Sequence, residues 1–502
     1  MPRLSKGSRA GSAASLTELL GVKLPAVRLA TLADALGKPL PTGHVHETVA
    51  ALVDPADWSQ VWLALAVLSG RLPDEAVVTR VAREAEFEPL GLAKAIVAQL
   101  PAGNAVRSVR VVSNVVVDVG NTAAATFTTG IQRVVRETVS RWLVAHDDIV
   151  PVAWTADFDA MRSLTRREAA AFGIEDPSLP IAAEDAELVV PWRAAMTTAE
   201  LAAEPQRSTR MRALSRFSGN PSGSIAYDLV PIVAAETTAT GMSDVFARHL
   251  AALRHNRRIA TISHSVAREY EGWKSGLRAI GVAGPEIVGV PLPAVAGAVS
   301  DAALAEARES LMIASLPMVL VVGSHEPRKN HLPLLEAAER LWCEGMRFSL
   351  VFIGGRSWGG AEFAGRAEEL VAAGRALQIV SGASDDLIWA AYRLARFTMF
   401  PSFYEGFGLP VAESLASGTP CLTSGFGSMK EIAEGGGALL VDAYSDDDIR
   451  EKMRLLLTDD VLLQRLRAEA AARPTRTWDD YATDLWNELV EPLRAALPEY
   501  SA

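Results

Sequence analysis

Glu405 and Glu413 lie eight positions apart, on the two sides of a Gly-Phe-Gly turn. The β-branched and aromatic run 397–400 before them predicts a strand, and Pro410 predicts the first position of a helix, where its missing N–H costs nothing. A helix N-terminus behind a glycine-rich loop offers free N–H groups and the positive end of the helix dipole to an anion. We therefore expect an anion site here, with Glu413 in the first turn of the helix and Glu405 in the loop before it.

The two carboxylates can accept hydrogen bonds from hydroxyls on either side of a bound anion. A ligand with phosphate in its middle and hydroxyls at both ends is a nucleotide sugar, and the pattern favours this ligand. Each feature is weak alone, because a glutamate near a helix start also serves the dipole and a Gly-x-Gly loop is common. The pattern is specific only as one continuous string.

That string, E-G-F-G-L-P-V-A-E at 405–413, closely resembles the E-G-F-G-L-P-x-x-E motif of the family-4 retaining glycosyltransferases. The resemblance implies the GT-B fold, an α/β fold in which two Rossmann-like doubly wound domains face a cleft. It implies that Glu413 binds the ribose hydroxyls and Glu405 binds hydroxyls of the transferred sugar. Similar proteins place the base at the strand ends 354–356 and 380–381. Donor contacts are also implied along the loop, at Gly406, Phe407, Gly408 and Leu409.

Arg328 and Lys329 supply two adjacent cations. They follow the apolar run 318–322, which predicts a strand, and Gly323 at its end permits close backbone approach to a ligand. A guanidinium can fork two phosphate oxygens, whereas an ammonium acts as a point charge, although such a pair is also typical of a solvated helix start. The surrounding E-P-R-K-N resembles the family segment that holds the donor pyrophosphate. The resemblance implies that both cations bind and neutralise the diphosphate, and it makes Glu405, Arg328 and Lys329 the predicted catalytic residues.

On the acceptor side, T-G-I-Q-R-V at 129–134 resembles the T-G-I-x-R-V segment of a bacterial subset of the family, in which this loop borders donor and acceptor. The resemblance implies roles for Gly130 and Arg133. Alternatively, the glycine eases entry into a helix and the arginine is a surface charge. Asp228 and Ser263 match two further family positions in the cleft.

Tyr227 departs from related sequences, which often carry a histidine there that approaches the sugar. Tyrosine, with an unperturbed pKa near 10, is a poor general base at neutral pH. We therefore favour a front-face route, in which the departing diphosphate takes the acceptor's proton and Glu405 stabilises positive charge on the sugar. A catalytically weak scaffold that binds partners is the alternative function, and Tyr227 favours it slightly.

The 502-residue chain has ordinary globular composition, with 49% hydrophobic and 22% charged residues. Its net charge of −11 argues against nucleic-acid binding. Its two cysteines, Cys343 and Cys421, predict no disulfide framework and a reducing compartment. The apolar run 62–68 is too short to span a bilayer, and residues 1–15 lack an apolar signal core. We expect a cytoplasmic protein, with peripheral contact at the inner membrane face left open.

The chain is predicted to divide at residues 105, 300 and 480. Residues 1–105 comprise a tail and a helical extension, because apolar residues recur at helical spacing in 16–20, 27–36, 58–68 and 76–100. Residues 106–300 and 301–480 alternate Val- and Ile-rich runs with helices, which predicts two parallel sheets covered on both faces. Residues 481–502 are expected to cross back onto the first Rossmann domain. Strands are predicted at 109–119, 149–154, 188–191, 225–232, 259–263, 287–290, 318–322, 348–353, 377–381, 397–400, 420–424 and 438–441.

No metal or cofactor is expected. Asp157 and Asp159 have the spacing of metal-binding carboxylates, but they lie away from the donor half, and no Cys/His cluster suits zinc. The expected substrates are a GDP-, dTDP- or UDP-sugar and a glycan, lipid-linked or protein acceptor. The bacterial subset favours mannosyl or rhamnosyl transfer.

The extension, residues 16–101, lies outside the family resemblance. It lacks the dense Lys/Arg face of interfacial membrane helices, so contact with an acceptor protein or a second copy of the chain is favoured. Deletion of residues 1–101 is then expected to leave donor hydrolysis intact. A passive stabilising cap is the alternative.

Overall fold

The computed structural model describes residues 26–88, 91–97, 107–125 and 129–497. The predicted tail 1–15 and the periodic stretch 16–20 lie outside these ranges. Within them, a helical block is followed by two α/β units, each built on its own sheet. None of the helices in these ranges is both long and apolar enough to cross a membrane.

The helical block precedes the first sheet. Its helices are α1 (Ala26–Ala35), α2 (Val45–Leu52), α3 (Trp58–Ser69), α4 (Glu75–Phe87) and α5 (Gly91–Val97). Helix α3 begins where the Asp57 carboxylate accepts the N–H groups of Ser59 and Gln60, and it ends at Gly70, whose φ of 69° suits glycine. Residues 61–69 of α3 are buried on all sides, so this helix forms the centre of the block.

The first α/β unit contains a mixed sheet. Its strands are β1 (Val109–Val112), β2 (Val115–Asp118), β3 (Ile149–Trp154), β4 (Met161–Ser163), β5 (Leu188–Pro191), β6 (Ala195–Thr198), β7 (Ser222–Ala226), β8 (Arg258–Thr261) and β9 (Glu286–Gly289). Their order is β1-β5-β4-β3-β2-β6-β7-β8-β9. Strand β4 runs antiparallel to β3 and β5, so the prediction of a purely parallel sheet is wrong at this point.

The helices of this unit separate its strands. They are α6 (Gly120–Ala124), α7 (Gly130–Ala145), α8 (Arg166–Ala170), α9 (Pro205–Phe217), α10 (Val230–Val233), α11 (Met242–Leu253) and α12 (His264–Ala279). Their positions correct two predicted strands. The run 109–119 is split at Ser113-Asn114, and the strand predicted at 225–232 ends at Ala226 because Pro231 lies in α10 and cannot donate to a ladder. The sequence also does not predict β4 or β6. Three of the four residues of β6 are alanine or threonine, although all four are buried.

The helical block covers one face of this first sheet. Successive side chains of a strand point to opposite faces. Val116 of β2 belongs to the same buried cluster as Trp62 of α3, whereas Val115 and Val117 belong to the cluster on the other face. Val189 of β5 also joins the cluster around Trp62. The block therefore shares a hydrophobic core with the sheet and forms one of its covering layers.

The second α/β unit is wholly parallel. Its strands are β10 (Met318–Val322), β11 (Ser349–Ile353), β12 (Leu377–Val380), β13 (Phe397–Phe400), β14 (Cys421–Ser424) and β15 (Ala438–Val441), in the order β12-β11-β10-β13-β14-β15. All six predicted strands are confirmed to within one residue. Its helices are α13 (Asp301–Leu311), α14 (His331–Cys343), α15 (Ala361–Ala372), α16 (Asp385–Leu394), α17 (Leu409–Ala416), α18 (Gly427–Ala433), α19 (Asp446–Thr458) and α20 (Asp460–Ala471).

The chain then returns to the first unit. Helix α21 (Trp478–Leu485) continues through a turn of π-helix, Trp486–Val490, into α22 (Glu491–Arg494). The Trp142 indole of α7 donates to the Ala482 carbonyl at 2.8 Å, which joins α21 to the first unit. The crossing helix begins at 478, three residues before the predicted boundary at 481.

Candidate active site

The loop 401–408 follows β13 and leads directly into helix α17. Gly408 has φ 106°, a left-handed conformation that favours glycine, and it lets the helix begin at Leu409. Pro410 is therefore the second helical residue and Glu413 the fifth, so the prediction that Glu413 lies in the first turn is wrong by one residue. Glu405 lies in the loop before the helix, as predicted.

Glu405, Arg328 and Lys329 form one ionic cluster at the carboxyl ends of β10 and β13. The Glu405 Oε1 atom lies 2.6 Å from Arg328 Nη1 and 2.7 Å from Lys329 Nζ. It also accepts a hydrogen bond from Ser402 Oγ at 2.9 Å. Glu326 bonds to the Arg328 Nε at 2.8 Å and fixes the other edge of the guanidinium. The two predicted phosphate-binding cations therefore meet the predicted sugar-binding carboxylate.

The charges of this cluster are held in defined states. Burial opposes ionisation of Glu405, but the neighbouring Arg328 and Lys329 lower its pKa to about 2. Burial lowers the pKa of Lys329, and Glu405 opposes that shift. Burial also acts against the charge of Arg328, yet Glu405 and Glu326 raise its pKa above the usual range. The carboxylate is ionised at neutral pH and stabilises both cations.

Close backbone packing shapes the floor of this cluster. Gly323 at the end of β10 donates its N–H to the Ile353 carbonyl at 2.9 Å. A side-chain carbon at Gly354 would lie 1.9 Å from the Gly323 carbonyl oxygen, so only glycine fits at the end of β11. A side chain at Gly354 would therefore displace the backbone at Gly323, where the sequence predicts close contact with a ligand.

Arg133 reaches across the domain interface to Glu413. Its guanidinium lies 2.6 Å from Glu413 Oε1 and 5.9 Å from the ring centroids of Trp389 and Trp478. The Tyr392 hydroxyl donates to Glu413 Oε2 at 3.1 Å. Burial raises the pKa of Glu413, and Arg133 opposes that shift. The alternative interpretation of Arg133 as a surface charge is therefore wrong.

The predicted donor loop packs against the first unit at several points. Ser263 is fully buried and its Oγ donates to the Gly406 carbonyl at 2.8 Å. A side-chain carbon at Gly406 would lie 3.1 Å from the Asp228 Cβ, and one at Gly130 would lie 3.4 Å from a Leu409 methyl group. Phe407 of the same loop is buried in the hydrophobic cluster that joins the two units. The predicted acceptor-side residues Gly130, Asp228 and Ser263 thus surround the donor loop.

Tyr227 and Asp228 differ in what they present to the interface. The Tyr227 hydroxyl donates to the Ala199 carbonyl at 2.9 Å, and burial raises its pKa far above 10. Tyr227 is therefore a buried structural residue. The sequence-based assignment of Tyr227 to the cleft is wrong. Burial also raises the pKa of Asp228, and Arg328 opposes this shift more strongly than any other cation. Asp228 is a carboxyl group of the first unit that lies against the donor loop.

A buried ion cluster fixes the start of α6. Arg207 is fully buried and lies 2.8 Å from Asp118 and 2.7 Å from Glu200. Glu200 in turn accepts the N–H groups of Asn121 and Thr122 at 2.7 and 2.8 Å, at the start of α6. The predicted strand 109–119 contains Asp118 but indicates no partner for it. Its partners cannot be found by spacing, because Arg207 lies 89 residues further along the chain.

The sequence-based assignment omits several residues that contribute to the site. Glu326 lies inside the quoted E-P-R-K-N segment, so its pairing with Arg328 could have been anticipated. Glu431 gives no local signal. Its carboxylate accepts the N–H groups of His264 and Ser265 at 3.0 and 2.8 Å, and so caps α12 across the interface.

Of the aspartate pair Asp157 and Asp159, Asp159 bonds to other side chains of the protein. Asp159 bonds to Thr155 at 2.6 Å and to Arg71 at 3.0 Å. Among the described residues, no group of three His, Cys, Asp or Glu side chains is arranged to hold a metal ion.

Comparison with known proteins finds a family match within the second unit. Residues 305–473 match the family model described as Glycosyl transferases group 1. The serotype-specific mannosyltransferase WbdA of Escherichia coli is 28% identical over 367 residues, 70% of this chain and 41% of that protein. The O-antigen chain mannosyltransferase B of Escherichia coli is 32% identical over 34% of this chain and 44% of that protein. This chain thus spans less than half the length of the curated relatives that it matches.

Solved structures share the fold at low sequence identity. The sucrose-phosphate synthase of Thermosynechococcus elongatus superposes with a TM-score of 0.51 at 17% identity, covering 76% of this chain and 98% of that one. HepE of Anabaena, in complex with UDP and glucose, gives a TM-score of 0.53 at 10% identity, covering 75% and 98%. The predicted GT-B architecture is confirmed, with the helical block added at its N-terminal side. Residues 305–473 thus match the group 1 glycosyltransferase model, and the chain as a whole has the GT-B fold.

Proposed function

We propose that this chain is a retaining glycosyltransferase that moves a sugar from a nucleoside-diphosphate sugar to a glycan, lipid-linked or protein acceptor without a metal ion. The observation that carries the proposal is the cluster of Glu405, Arg328 and Lys329 beside the N-terminus of α17. A fixed pair of cations and a helix dipole neutralise a diphosphate, while the carboxylate faces the sugar end of the same ligand. The same three charges have no use in a scaffold that only binds partners.

The transfer step follows from these charges. The bond between the anomeric carbon and the diphosphate oxygen breaks, and its electron pair leaves with the diphosphate beside Arg328 and Lys329. The acceptor oxygen forms the new bond on the same face, and its proton passes to the departing diphosphate. Glu405 stabilises the positive charge that develops on the sugar, and this charge is greatest in the transition state. Tyr227 takes no proton in this route, because it is buried and bonded to Ala199.

The donor extends from this cluster toward Glu413, which we propose binds the ribose hydroxyls. Arg133 and Tyr392 already bond to the Glu413 carboxylate, so the ribose shares it with them or displaces one of them. The names of the relatives favour mannosyl transfer in polysaccharide synthesis, and among the expected donors this favours a GDP-sugar over a dTDP- or UDP-sugar. The chain is expected to act in the cytoplasm, with peripheral contact at the inner membrane face left open.

Nucleoside diphosphates should stabilise the protein against heat. A ligand at about a hundredfold its Kd raises the free energy of unfolding by roughly 2.7 kcal/mol. We expect one of GDP, UDP and dTDP to raise the Tm, and Arg328→Ala to weaken its binding by roughly 10- to 150-fold, the loss of a charge-assisted hydrogen bond. The measurement is thermal shift with a ligand titration.

The matched control is Arg375→Ala. Arg375 also pairs with a glutamate, Glu339 at 2.7 Å, but it precedes β12 and lies at the opposite edge of the sheet. If both variants bound the nucleotide with equal affinity, the diphosphate would not lie at the position that we propose. If none of the three nucleotides shifted the Tm of the wild type, the proposed function would fail.

Activity should be independent of divalent cations. Arg328, Lys329 and the N-terminus of α17 already supply the positive charge that a metal ion provides to a diphosphate elsewhere. Excess EDTA is therefore expected to leave the rate of sugar transfer, or of donor hydrolysis, unchanged. A rate that fell on chelation and returned with Mg²⁺ or Mn²⁺ would contradict this part of the proposal.

A further inference from the structure

Three aromatic rings form a strip at the carboxyl edge of the second sheet. Phe403 and Tyr444 stack with ring centroids 4.8 Å apart and 27° between their planes, and Phe426 lies 6.0 Å from Tyr444 at 22°. Tyr444 is 74% exposed, so its ring is not covered on both faces. We call these three residues the aromatic strip. Tyr444 presents its ring to solvent, and the rings of the partly buried Phe403 and Phe426 lie nearly parallel to it.

The strip is anchored rather than being a free loop tip. The Asp442 carboxylate accepts the Tyr444 N–H at 3.0 Å and so fixes the turn that carries the tyrosine. Asn330 donates its side-chain amide to the Ala443 carbonyl at 2.8 Å. The 328–330 segment that carries the two cations therefore holds the turn directly.

The other end of the strip has the same anchor. Phe403 donates its N–H to the Arg328 carbonyl at 2.8 Å, and it lies two residues before Glu405. Phe426 precedes α18, whose Glu431 caps α12 of the first unit. The strip therefore extends from the ionic cluster toward the edge of the domain interface.

The sheet order places the strip away from the base end of the donor. Its residues follow β13, β14 and β15, which form one flank of the sheet. The strand ends 354–356 and 380–381, where similar proteins place the base, follow β11 and β12 on the opposite flank. The ionic cluster lies between the two flanks. A molecule that contacts the strip therefore approaches the donor from its sugar side.

The chemistry of the strip favours a neutral sugar ring. A pyranose has a face of C–H groups that packs on an aromatic face, and hydroxyls at its rim that donate to carboxylates. Asp442 and Asp446 are exposed beside Tyr444 and supply such acceptors. The same carboxylates repel phosphate groups, which disfavours an anionic lipid surface or a nucleotide.

We propose that the aromatic strip, Phe403, Tyr444 and Phe426, binds a pyranose ring of the acceptor glycan. The proposal rests on the proposed glycosyl transfer, and it names the acceptor as a carbohydrate rather than a protein side chain. The strip holds the acceptor beside Glu405 and contributes binding without taking part in bond making. Its loss therefore raises the KM for acceptor and leaves donor binding unchanged.

The test measures sugar binding directly. Saturation-transfer difference NMR of the full chain with methyl α-D-mannopyranoside should show contact, and titration gives its Kd. Tyr444→Ala should weaken binding about fivefold, whereas Tyr444→Phe should retain it, because the ring face is kept. Phe87→Ala is the matched control, since Phe87 is an 87% exposed ring on α4 in the helical block. Its Kd should equal that of the wild type.

The outcomes separate this inference from the proposed function. Equal sugar affinity in Tyr444→Ala and the wild type, or no contact with the sugar in the wild type, would overturn the strip as a pyranose site. Weaker binding of GDP or UDP to Tyr444→Ala than to the wild type would overturn it too, because the strip would then hold the base. A Tyr444-dependent sugar signal supports the strip even if nucleoside diphosphates fail to stabilise the protein. In that case only the proposed transfer fails.

Discussion

Replacement of Glu405 by glutamine is expected to lower kcat by on the order of a hundredfold or more, with a much smaller change in donor affinity. The side chain keeps its shape and loses the negative charge that faces the sugar. The same change leaves Arg328 and Lys329, which bond to Glu405 at 2.6 and 2.7 Å, without their shared counter-charge. The measurement is steady-state kinetics of transfer or donor hydrolysis beside a nucleotide titration.

Glu339→Gln is the matched control, because it neutralises another arginine-bonded glutamate of the same unit. Its kcat should equal that of the wild type. If kcat of Glu405→Gln stayed within about threefold, an effect under 1 kcal/mol, Glu405 would not be a charge stabiliser.

The same variant has a stability signature. Burial raises the cost of ionising Glu405, but Arg328 and Lys329 lower its pKa from 4.5 to about 2. A carboxyl group with a depressed folded pKa stabilises the protein above its unfolded pKa, and this contribution is lost as the pH falls toward the folded pKa. The difference in free energy of unfolding between wild type and Glu405→Gln should therefore narrow from about pH 5 to about pH 3. Urea unfolding at both values measures it, and a difference that stayed constant would contradict the pairing.

Deletion of residues 1–101 is expected to unfold the first α/β unit. The apolar spacing of the extension alone favours a separable contact element, and the structure gives the opposite expectation. Trp62 and Leu65 of α3 belong to the same buried cluster as Val116, Val189 and Met196 of the sheet. Truncation would expose that face of the sheet to water, so a soluble, cooperatively folding and donor-hydrolysing fragment 102–502 would contradict this prediction.

A point substitution tests the same interface without truncation. Trp62 is fully buried, and Trp62→Ala should reduce the free energy of unfolding by roughly 3–5 kcal/mol, the usual cost of an aromatic truncation in a core. Trp358→Ala is the control, because this tryptophan is 41% exposed in the second unit and should cost far less. Urea denaturation followed by circular dichroism gives both values. Within the described residues, the block is thus a structural layer of the first unit, and its contact with a partner stays a prediction.

The sequence by itself determined the second unit almost completely. Short runs of apolar, aromatic and β-branched residues located all six strands to within one residue, since a strand buried on both faces is largely apolar along its length. The E-G-F-G-L-P-V-A-E string located the donor loop, because a glycine-rich turn into a helix is a local feature. The first sheet was predicted less completely, since three of the four residues of β6 are alanine or threonine, whose burial depends on the neighbouring strands.

Only the tertiary structure decided which charges meet. Glu405 and Lys329 are 76 residues apart, and Arg133 and Glu413 are 280 apart, so no spacing rule relates them. Tyr227 looked like a cleft residue from its motif, yet its hydroxyl is turned to Ala199 and buried. The role of the helical block was also hidden, because amphipathic spacing says that a helix has an apolar face and not which surface will cover it. Long-range packing sets pairings, burial and pKa, and local sequence sets only the elements that take part.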